Sequence, residues 1–270
     1  MNATHSSSEV HSFYLLVEDQ YNWAAWQQWC SARPHYPAVA VIVYVLLIRY
    51  GPVFMMERKE MRMKALFFLW NSALSLFSMV ASYRAISYVI HNMKTEDFSI
   101  GKILCDNEPD NVSGFWCFLF TMSKFVELGD TLFLILRKKP ILFLHWYHHL
   151  TVLLFTWLAT IVNAPVGKFF ATMNVFVHSL MYAYYAIQTL GLIRLPRLVG
   201  ISITSLQIAQ MIAGIMILVL SYILSLNSNA CRSPTVILIA GALIYGSYFA
   251  LFVDFFLNAY FAGGKKSKIF

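Results

Sequence analysis

The stretch that decides the fold is residues 199–225, VGISITSLQIAQMIAGIMILVLSYILS, which contains no Asp, Glu, Lys or Arg. An apolar segment of this length spans the hydrocarbon core of a bilayer, about 30 Å thick, as a single helix. The rest of the chain has the same character, because 59% of its 270 residues are hydrophobic and 12% are charged. Soluble domains are nearer half apolar and a quarter charged. The composition therefore predicts an integral membrane protein.

Six further apolar runs flank this segment, which predicts an all-α integral membrane protein with seven transmembrane helices. Seven such helices use roughly 150 to 170 residues and leave short loops, so no separate soluble domain fits. We expect a polar lumenal segment at residues 1–35, a membrane domain at residues 36–262 and a cytosolic tail at residues 263–270. The seven runs lie at residues 36–56, 65–90, 113–136, 141–162, 167–190, 199–225 and 235–262.

The basic residues predict the orientation of these helices. Cytosolic loops next to membrane spans are enriched in Lys and Arg. With a lumenal N-terminus and a cytosolic C-terminus, 13 of the 20 basic residues fall in cytosolic segments. The net charge of +7 therefore reflects topology and anionic ligands, and we expect no nucleic-acid partner. The last residues, Lys266-Ser-Lys268-Ile-Phe270, resemble a dilysine-type retrieval signal and so predict the endoplasmic reticulum membrane.

The cysteines add one prediction to this topology. Cys105 precedes the third run and Cys231 follows the sixth, so both lie on the lumenal side. That compartment is oxidising. We therefore predict a disulfide between Cys105 and Cys231, with two free thiols as the alternative.

Polar and ionisable side chains interrupt the predicted membrane helices. Such groups are costly in hydrocarbon, about 2.5 to 3.5 kcal/mol each, and usually face a cavity. Counted from the basic loops at about 1.5 Å per residue, they lie at a common depth in the cytosolic half of the membrane. The lumenal half of the last three runs is almost purely apolar, which predicts a polar chamber open to the cytosol and floored by an apolar tunnel. The polar residues are Lys124, Glu127, Asp130, His145, His148, His149, Asn174, His178, Tyr182, Tyr185, Gln207, Gln210 and Asp254.

Three histidines share one helix face, because His145, His148 and His149 have the spacing i, i+3, i+4. One interpretation is metal binding, in which these three and His178 hold a zinc ion. The same spacing occurs in membrane di-iron desaturases and hydroxylases, but those sites need several such boxes and the chain has one. The other interpretation is acid–base or nucleophilic catalysis near neutral pH, in which a neutral imidazole attacks a thioester.

Two other groups have structural interpretations beside the catalytic one. Lys124, Glu127 and Asp130 are spaced to pair along one helix and could simply fix helix packing. Gln207 and Gln210 are typical of hydrogen bonds between membrane helices. An apolar tunnel beside basic loops nevertheless fits a long-chain acyl-CoA, whose phosphates the loops would bind.

Four motifs occur in an order that resembles the very-long-chain fatty acid elongase family. The resemblance extends from about residue 60 to 260. The Trp-Tyr pair inside the histidine motif is similar to the branch that acts on saturated and monounsaturated chains. The motifs are Lys124-x-x-Glu127-x-x-Asp130-Thr131, His145-Trp-Tyr-His148-His149, Met173-Asn174-x-x-Val177-His178-x-x-Met181-Tyr182-x-Tyr184-Tyr185 and Thr204-x-x-Gln207-x-x-Gln210.

The resemblance implies a very-long-chain 3-oxoacyl-CoA synthase, an acyltransferase that condenses acyl-CoA with malonyl-CoA and releases CoA and carbon dioxide. It implies that His148 carries the acyl group and that His178 and Asn174 assist carbanion formation. His145 and His149 would orient the nucleophile. The implied site contains no metal and no cofactor. The implied architecture has six helices around an acyl tunnel, with the first span outside.

The same resemblance assigns the substrate-binding residues and the partners. Expected partners are the lipid bilayer, a ketoacyl-CoA reductase, a 3-hydroxyacyl-CoA dehydratase, an enoyl-CoA reductase and a second copy of the chain. The alternatives are a seven-span receptor or transporter, and a metal-dependent membrane lipid oxidase or desaturase. The substrate-binding residues would be Lys124, Glu127, Asp130, Tyr182, Tyr185 and Gln207 in the chamber, and Arg137, Lys138, Lys139, Arg197 and Lys265 at the CoA phosphates.

Overall fold

A computed structural model of the protein describes residues 16–95, 104–105, 111–193, 195–227 and 233–261. Within these ranges the chain is helical and contains no strand, which confirms the all-α prediction. The helices are α1 Leu16–Asp19, α2 Trp23–Ser31, α3 His35–Met55, α4 Lys64–Thr95, α5 Asn111–Glu127, α6 Gly129–Leu136, α7 Phe143–Ile161, α8 Gly167–Leu190, α9 Arg197–Asn227 and α10 Thr235–Tyr260.

The long helices coincide with the apolar runs, except that the third run is divided between α5 and α6. The division falls at Leu128, immediately before Gly129. A Cβ atom on residue 129 would lie 2.8 Å from the indole ring of Trp70. The glycine therefore gives Trp70 the space to reach Asp130, to which its Nε1 donates a hydrogen bond of 2.6 Å.

In the part of the chain that the structure describes, four helices are long and apolar enough to cross a bilayer, at His35–Met55, Lys64–Tyr88, Arg197–Leu226 and Thr235–Tyr260. The protein is therefore a multi-pass membrane protein. The other long segments, α5 with α6, α7 and α8, carry the Lys, Glu, Asp and His side chains and are correspondingly less apolar. That they also cross the membrane stays a prediction.

Helix α7 contacts α2, α3, α5, α8 and α10. Helix α8 lies along α4, and α9 lies along α10. Close contacts at two glycines fix the antiparallel register of α9 and α10. A Cβ atom on Gly214 would lie 2.1 Å from the ring of Tyr245, and one on Gly241 would lie 2.9 Å from Leu218.

The N-terminal helices close one end of this bundle. Glu18 in α1 is 0% exposed and accepts hydrogen bonds from Arg84 in α4, at 2.9 Å, and from Trp116 in α5, at 2.6 Å. In α2, Trp23 Nε1 donates to Asn163 Oδ1 at 3.1 Å, beyond the end of α7. We call this end of the bundle the Trp23 end. The opposite end, where α6 stops before Arg137, is the Arg137 end.

Among the cysteines that the structure describes, Cys30 and Cys117 form no disulfide. Burial raises the pKa of the Cys30 thiol in α2 to about 12, so this thiol stays protonated near neutral pH. Cys231 lies outside the described residues, so its disulfide with Cys105 stays a prediction. The tail at residues 263–270, which includes Lys265, is outside the described residues too.

Candidate active site

A buried ionic network joins α5 to α8. Lys124, 1% exposed, donates to Glu127 at 2.7 and 3.0 Å and to Asn174 Oδ1 at 2.7 Å. Ser123 Oγ also donates to Glu127, at 2.9 Å. All three ammonium donors are thereby engaged, which is the condition under which a buried charge is tolerated. The predicted pairing of Lys124 with Glu127 is confirmed.

The network fixes the tautomer of His178. Because a lysine can only donate, Asn174 accepts with Oδ1 and presents its NH₂ group to His178 Nε2, 3.2 Å away. The Nε2 atom is therefore the acceptor, and the ring proton is on Nδ1. That atom lies 3.7 Å from Glu127 Oε2. His178 is thus held by neighbours on both sides of its ring.

Asp130 in α6 organises a second group of polar contacts. It accepts from Trp70 Nε1 at 2.6 Å and from the Tyr182 hydroxyl at 2.7 Å. His149 Nε2 lies 3.9 Å from its Oδ2 atom. Three helices, α4, α7 and α8, therefore meet at one carboxylate.

A third group connects the outermost long helix, α3, with the histidine motif. The buried Tyr44 hydroxyl lies 2.7 Å from Thr131 Oγ1, which lies 2.8 Å from His145 Nε2. The Tyr44 proton has no other acceptor among the described residues, so Tyr44 donates to Thr131 and Thr131 donates to His145. His145 then carries its proton on Nδ1. The first span thus supports the site, although it lines none of the cavity described below.

His148 stands apart from these hydrogen bonds. Its ring lies 4.9 Å from that of Tyr248, 5.6 Å from that of His149 and 6.5 Å from that of His178, measured between ring centroids. Of the four histidines in the site, it is the one that lines the internal cavity. The rings of His145, His148 and His149 are neighbours, as their spacing predicts. They differ in that only His148 lines the cavity.

The cavity is lined by residues of α5, α7, α8, α9 and α10 and by Trp23. His148 and Asn174 line it at one level, and Trp23 and Asn163 line it at the Trp23 end. Between His148 and Asn163, α7 rises roughly 20 Å. Helix α4 does not contribute to the described wall, so five long helices surround the cavity where the resemblance implies six.

The cavity wall is less apolar than the sequence predicts. Thr121 and Thr160 line it, and their hydroxyls are hydrogen-bonded to each other at 3.3 Å. Lys168 lines it at the Trp23 end. The apolar tunnel was predicted from the last three runs alone. Helices α5 and α7 also contribute to the wall, and they supply the threonines.

The other predicted site residues are divided between the cluster and the surface. Tyr185 packs near Tyr182, with ring centroids 6.4 Å apart. Gln207 Nε2 lies 3.4 Å from Met181 Sδ, so it joins α9 to α8. Asp254 is exposed and accepts from Asn258 at 3.1 Å, so it lies outside the polar cluster where the sequence placed it.

The basic residues predicted for phosphate binding lie at the Arg137 end. The Arg137 guanidinium stacks over the Phe67 ring at 4.3 Å, and Lys138 Nζ donates to the Met56 carbonyl at 3.0 Å. Lys139 is half-buried. The exposed Arg197 donates to the carbonyl of Tyr260. Arg194 and Lys265 lie outside the described residues.

Among the residues that the structure describes, no three His, Cys, Asp or Glu side chains are grouped as a metal site requires. The expected absence of a metal stays a prediction. Sequence reasoning missed Tyr44 and Tyr248, because a single tyrosine in an apolar run carries no signal of a polar contact. Only the tertiary structure shows that Tyr44 meets Thr131 and that Tyr248 donates to the His148 carbonyl at 3.2 Å.

The fold and the site define a multi-pass helical membrane protein with buried histidines beside an internal cavity. Comparison of the sequence with known protein families identifies the family. The family described as ELO: GNS1/SUR4 matches residues 29–268. The chain therefore belongs to the ELO family.

Several curated proteins are similar over most of this chain. It is 39% identical over 230 residues to "Putative fatty acid elongase 4" of Caenorhabditis elegans, covering 84% of this chain and 78% of that protein. It is 38% identical over 232 residues to "Very long chain fatty acid elongase 6" of Drosophila melanogaster, covering 84% and 72%. It is 41% identical over 220 residues to "Very long chain fatty acid elongase 3" of Mus musculus, covering 82% and 80%.

Proposed function

We propose that this protein elongates very-long-chain fatty acids by condensing a long-chain acyl-CoA with malonyl-CoA to give 3-oxoacyl-CoA, CoA and carbon dioxide. The observation that carries the proposal is the position of His148, which lines the cavity together with Asn174 and has its ring 6.5 Å from that of His178. The family and the names of its curated members support the same function.

In the first step, a ring nitrogen of His148 attacks the thioester carbonyl carbon of acyl-CoA. The carbonyl π electrons move to oxygen, and their return breaks the carbon–sulfur bond and releases the CoA thiolate. The thiolate takes the proton from the other ring nitrogen. The products are acyl-His148 and free CoA, with the acyl tail in the cavity.

In the second step, malonyl-CoA loses carbon dioxide, and the electrons of the broken bond remain on the adjacent carbon as an enolate. This carbon attacks the acyl group on His148, and the imidazole leaves and recovers a proton from solvent. The product is 3-oxoacyl-CoA, two carbons longer. His178 is the candidate to assist the carbanion, because Asn174 and Glu127 hold its ring in one orientation.

The proposal assigns the CoA phosphates to the basic residues at the Arg137 end and the CoA entrance to the cytosolic side. The proposal includes seven membrane spans, a lumenal N-terminus, a cytosolic C-terminus and the endoplasmic reticulum membrane. Because Cys30 and Cys117 form no disulfide, Cys231 is the remaining cysteine that could pair with Cys105, which supports the lumenal disulfide. The reductases and dehydratase that complete an elongation cycle are the proposed partners.

The test measures both half-reactions with purified protein. Wild-type protein given acyl-CoA alone should release about one equivalent of CoA per chain and gain an acyl adduct on the peptide that contains His148. Adding radiolabelled malonyl-CoA should release carbon dioxide and form labelled 3-oxoacyl-CoA. The variant His148→Ala should lose the adduct and reduce condensation by at least 1,000-fold, on the order expected for removal of a nucleophile.

The matched control is His35→Ala, which removes an exposed imidazole at the start of α3. It should condense at the wild-type rate. Retention of the acyl adduct and of normal condensation by His148→Ala would show that another residue is the nucleophile. A wild-type protein that releases no carbon dioxide from malonyl-CoA in the presence of acyl-CoA would refute the function itself.

A further inference from the structure

Gln210 in α9 is a buried amide that faces the cavity. Its side chain is 8% exposed and belongs to the cavity wall, together with those of His148 and Asn174. Within the described part of the chain, no hydrogen bond joins this amide to protein, and its polar atoms are not among those fully shut off from the cavity or solvent. A ligand in the cavity can supply the partner that the protein does not.

The packing of α9 on α10 places Gln210 at the level of His148. Gly214 meets Tyr245 in these antiparallel helices. Gln210 lies roughly 6 Å from Gly214 toward the Arg137 end, and Tyr248 lies roughly 4.5 Å from Tyr245 in the same direction. Gln210 and Tyr248 are therefore at nearly the same depth. Tyr248 in turn contacts His148, through its hydroxyl and through its ring.

The neighbouring polar groups at this depth already have partners. Lys124 donates to Glu127 and Asn174, and Asn174 is engaged at both its oxygen and its nitrogen. Gln207, one turn earlier in α9, contacts Met181 in α8. The interhelical role that the sequence predicts for both glutamines therefore belongs to Gln207, which leaves the Gln210 amide for a ligand.

We propose that Gln210 is a catalytic residue whose side-chain N–H groups donate to the thioester carbonyl oxygen of the acyl-CoA. The inference rests on the proposed function. When His148 attacks the carbonyl carbon, the π electrons move to this oxygen, and a preorganised N–H donor stabilises the negative charge that develops there. No proton leaves Gln210, and the same donor serves the acyl carbonyl again when the malonyl-derived carbon attacks it.

The experiment compares acyl-CoA with a thioether analogue of the same chain length that lacks the carbonyl oxygen. The variant Gln210→Leu removes the amide and retains a side chain of similar volume. Acyl transfer from acyl-CoA, measured as the pre-steady-state release of CoA, should slow by about 100-fold. Affinity for the S-alkyl-CoA thioether of equal chain length, which lacks the carbonyl oxygen, should stay within twofold of wild type. A purely structural role would weaken the binding of both ligands.

Two further variants keep the test decisive. Gln188→Leu makes the same substitution at an exposed amide near the Arg137 end of α8 and should transfer acyl groups at the wild-type rate. Gln210→Met provides a second apolar side chain if Gln210→Leu does not fold, as judged by its thermal melt. Normal acyl transfer by the folded Gln210 variant overturns the inference.

A competing donor is the hydroxyl of Tyr245, which lines the cavity one turn closer to the Trp23 end. If Tyr245→Phe slows acyl transfer by about 100-fold and Gln210→Leu does not, the donor is Tyr245 and the inference is wrong. If the wild-type protein neither releases CoA from acyl-CoA nor carbon dioxide from malonyl-CoA, the proposed function fails instead. The two failures are therefore distinguishable.

Discussion

Tyr44 lies in α3, the outermost long helix, and is hydrogen-bonded through Thr131 to His145 of the histidine motif. It does not line the cavity. Its side chain is 2% exposed, and through Thr131 it sets which nitrogen of His145 accepts a hydrogen bond. His145 packs against His149, with ring centroids 4.5 Å apart. A hydroxyl in α3 therefore helps to orient imidazoles in α7.

This arrangement predicts the effect of Tyr44→Phe. Loss of the hydroxyl leaves Thr131 free to rotate away from His145, so kcat should fall by about tenfold, the order of one lost buried hydrogen bond. The KM for acyl-CoA should stay unchanged, because Tyr44 is not part of the cavity wall. Tyr50→Phe removes an exposed hydroxyl from the same helix and is the control. An increase in KM at unchanged kcat would contradict this positioning role.

The pairing of α9 with α10 depends on close contact at Gly214. Replacing it by alanine puts a methyl group 2.1 Å from the Tyr245 ring, and the helices must move apart. Overpacking of this kind costs about 1 to 3 kcal/mol. Gly214→Ala should therefore lower the melting temperature of the detergent-solubilised protein by several degrees.

Gly246 provides the matched control for this prediction within α10. A Cβ atom at that position has no neighbour within 4 Å. Gly246→Ala should melt at or slightly above the wild-type temperature, because alanine favours the helix over glycine. Equal melting temperatures for the two variants would mean that the contact at Gly214 does not limit stability.

At the level of the elements, the sequence predicts the helices well because lipid demands long apolar runs. The bounds of α8 match the predicted run at residues 167–190. The break at Leu128 was not predicted, because the spacing of Lys124, Glu127 and Asp130 indicated one continuous helix, and only the structure shows the Trp70 ring packed against Gly129. The sequence could not separate the roles of Gln207 and Gln210 either, because both lie on one face of α9. Only the structure shows that Gln207 contacts α8 and that Gln210 lines the cavity.

Across the whole molecule, the N-terminal helices determine where the cavity ends. Trp23 lines it and is fixed to Asn163, while Gln27 Nε2 donates to the Ile161 carbonyl at 3.0 Å. These contacts join residues more than 130 positions apart in the chain. No periodicity in the polar N-terminal segment predicts them.

This closure predicts that Trp23→Ala extends the acyl chains that the protein accepts. Removal of the indole lengthens the cavity, so the product profile with labelled malonyl-CoA should shift by at least one two-carbon addition. Trp29→Ala is the control, because Trp29 lies in the same helix, packs against Trp26 and does not line the cavity. Products of unchanged length from a folded Trp23→Ala variant would place the end of the acyl site elsewhere.

The ion pair of Lys124 bears on how the chain is assembled in the membrane. Lys124 donates to Asn174, which is synthesised 50 residues later. Asp130 accepts from the hydroxyl of Tyr182, which is synthesised 52 residues later. Charged and amide groups left alone in hydrocarbon are costly. We therefore expect the segment Asn111–Leu136 to stay beside the insertion machinery, out of contact with lipid, until α8 has been synthesised and can supply these partners.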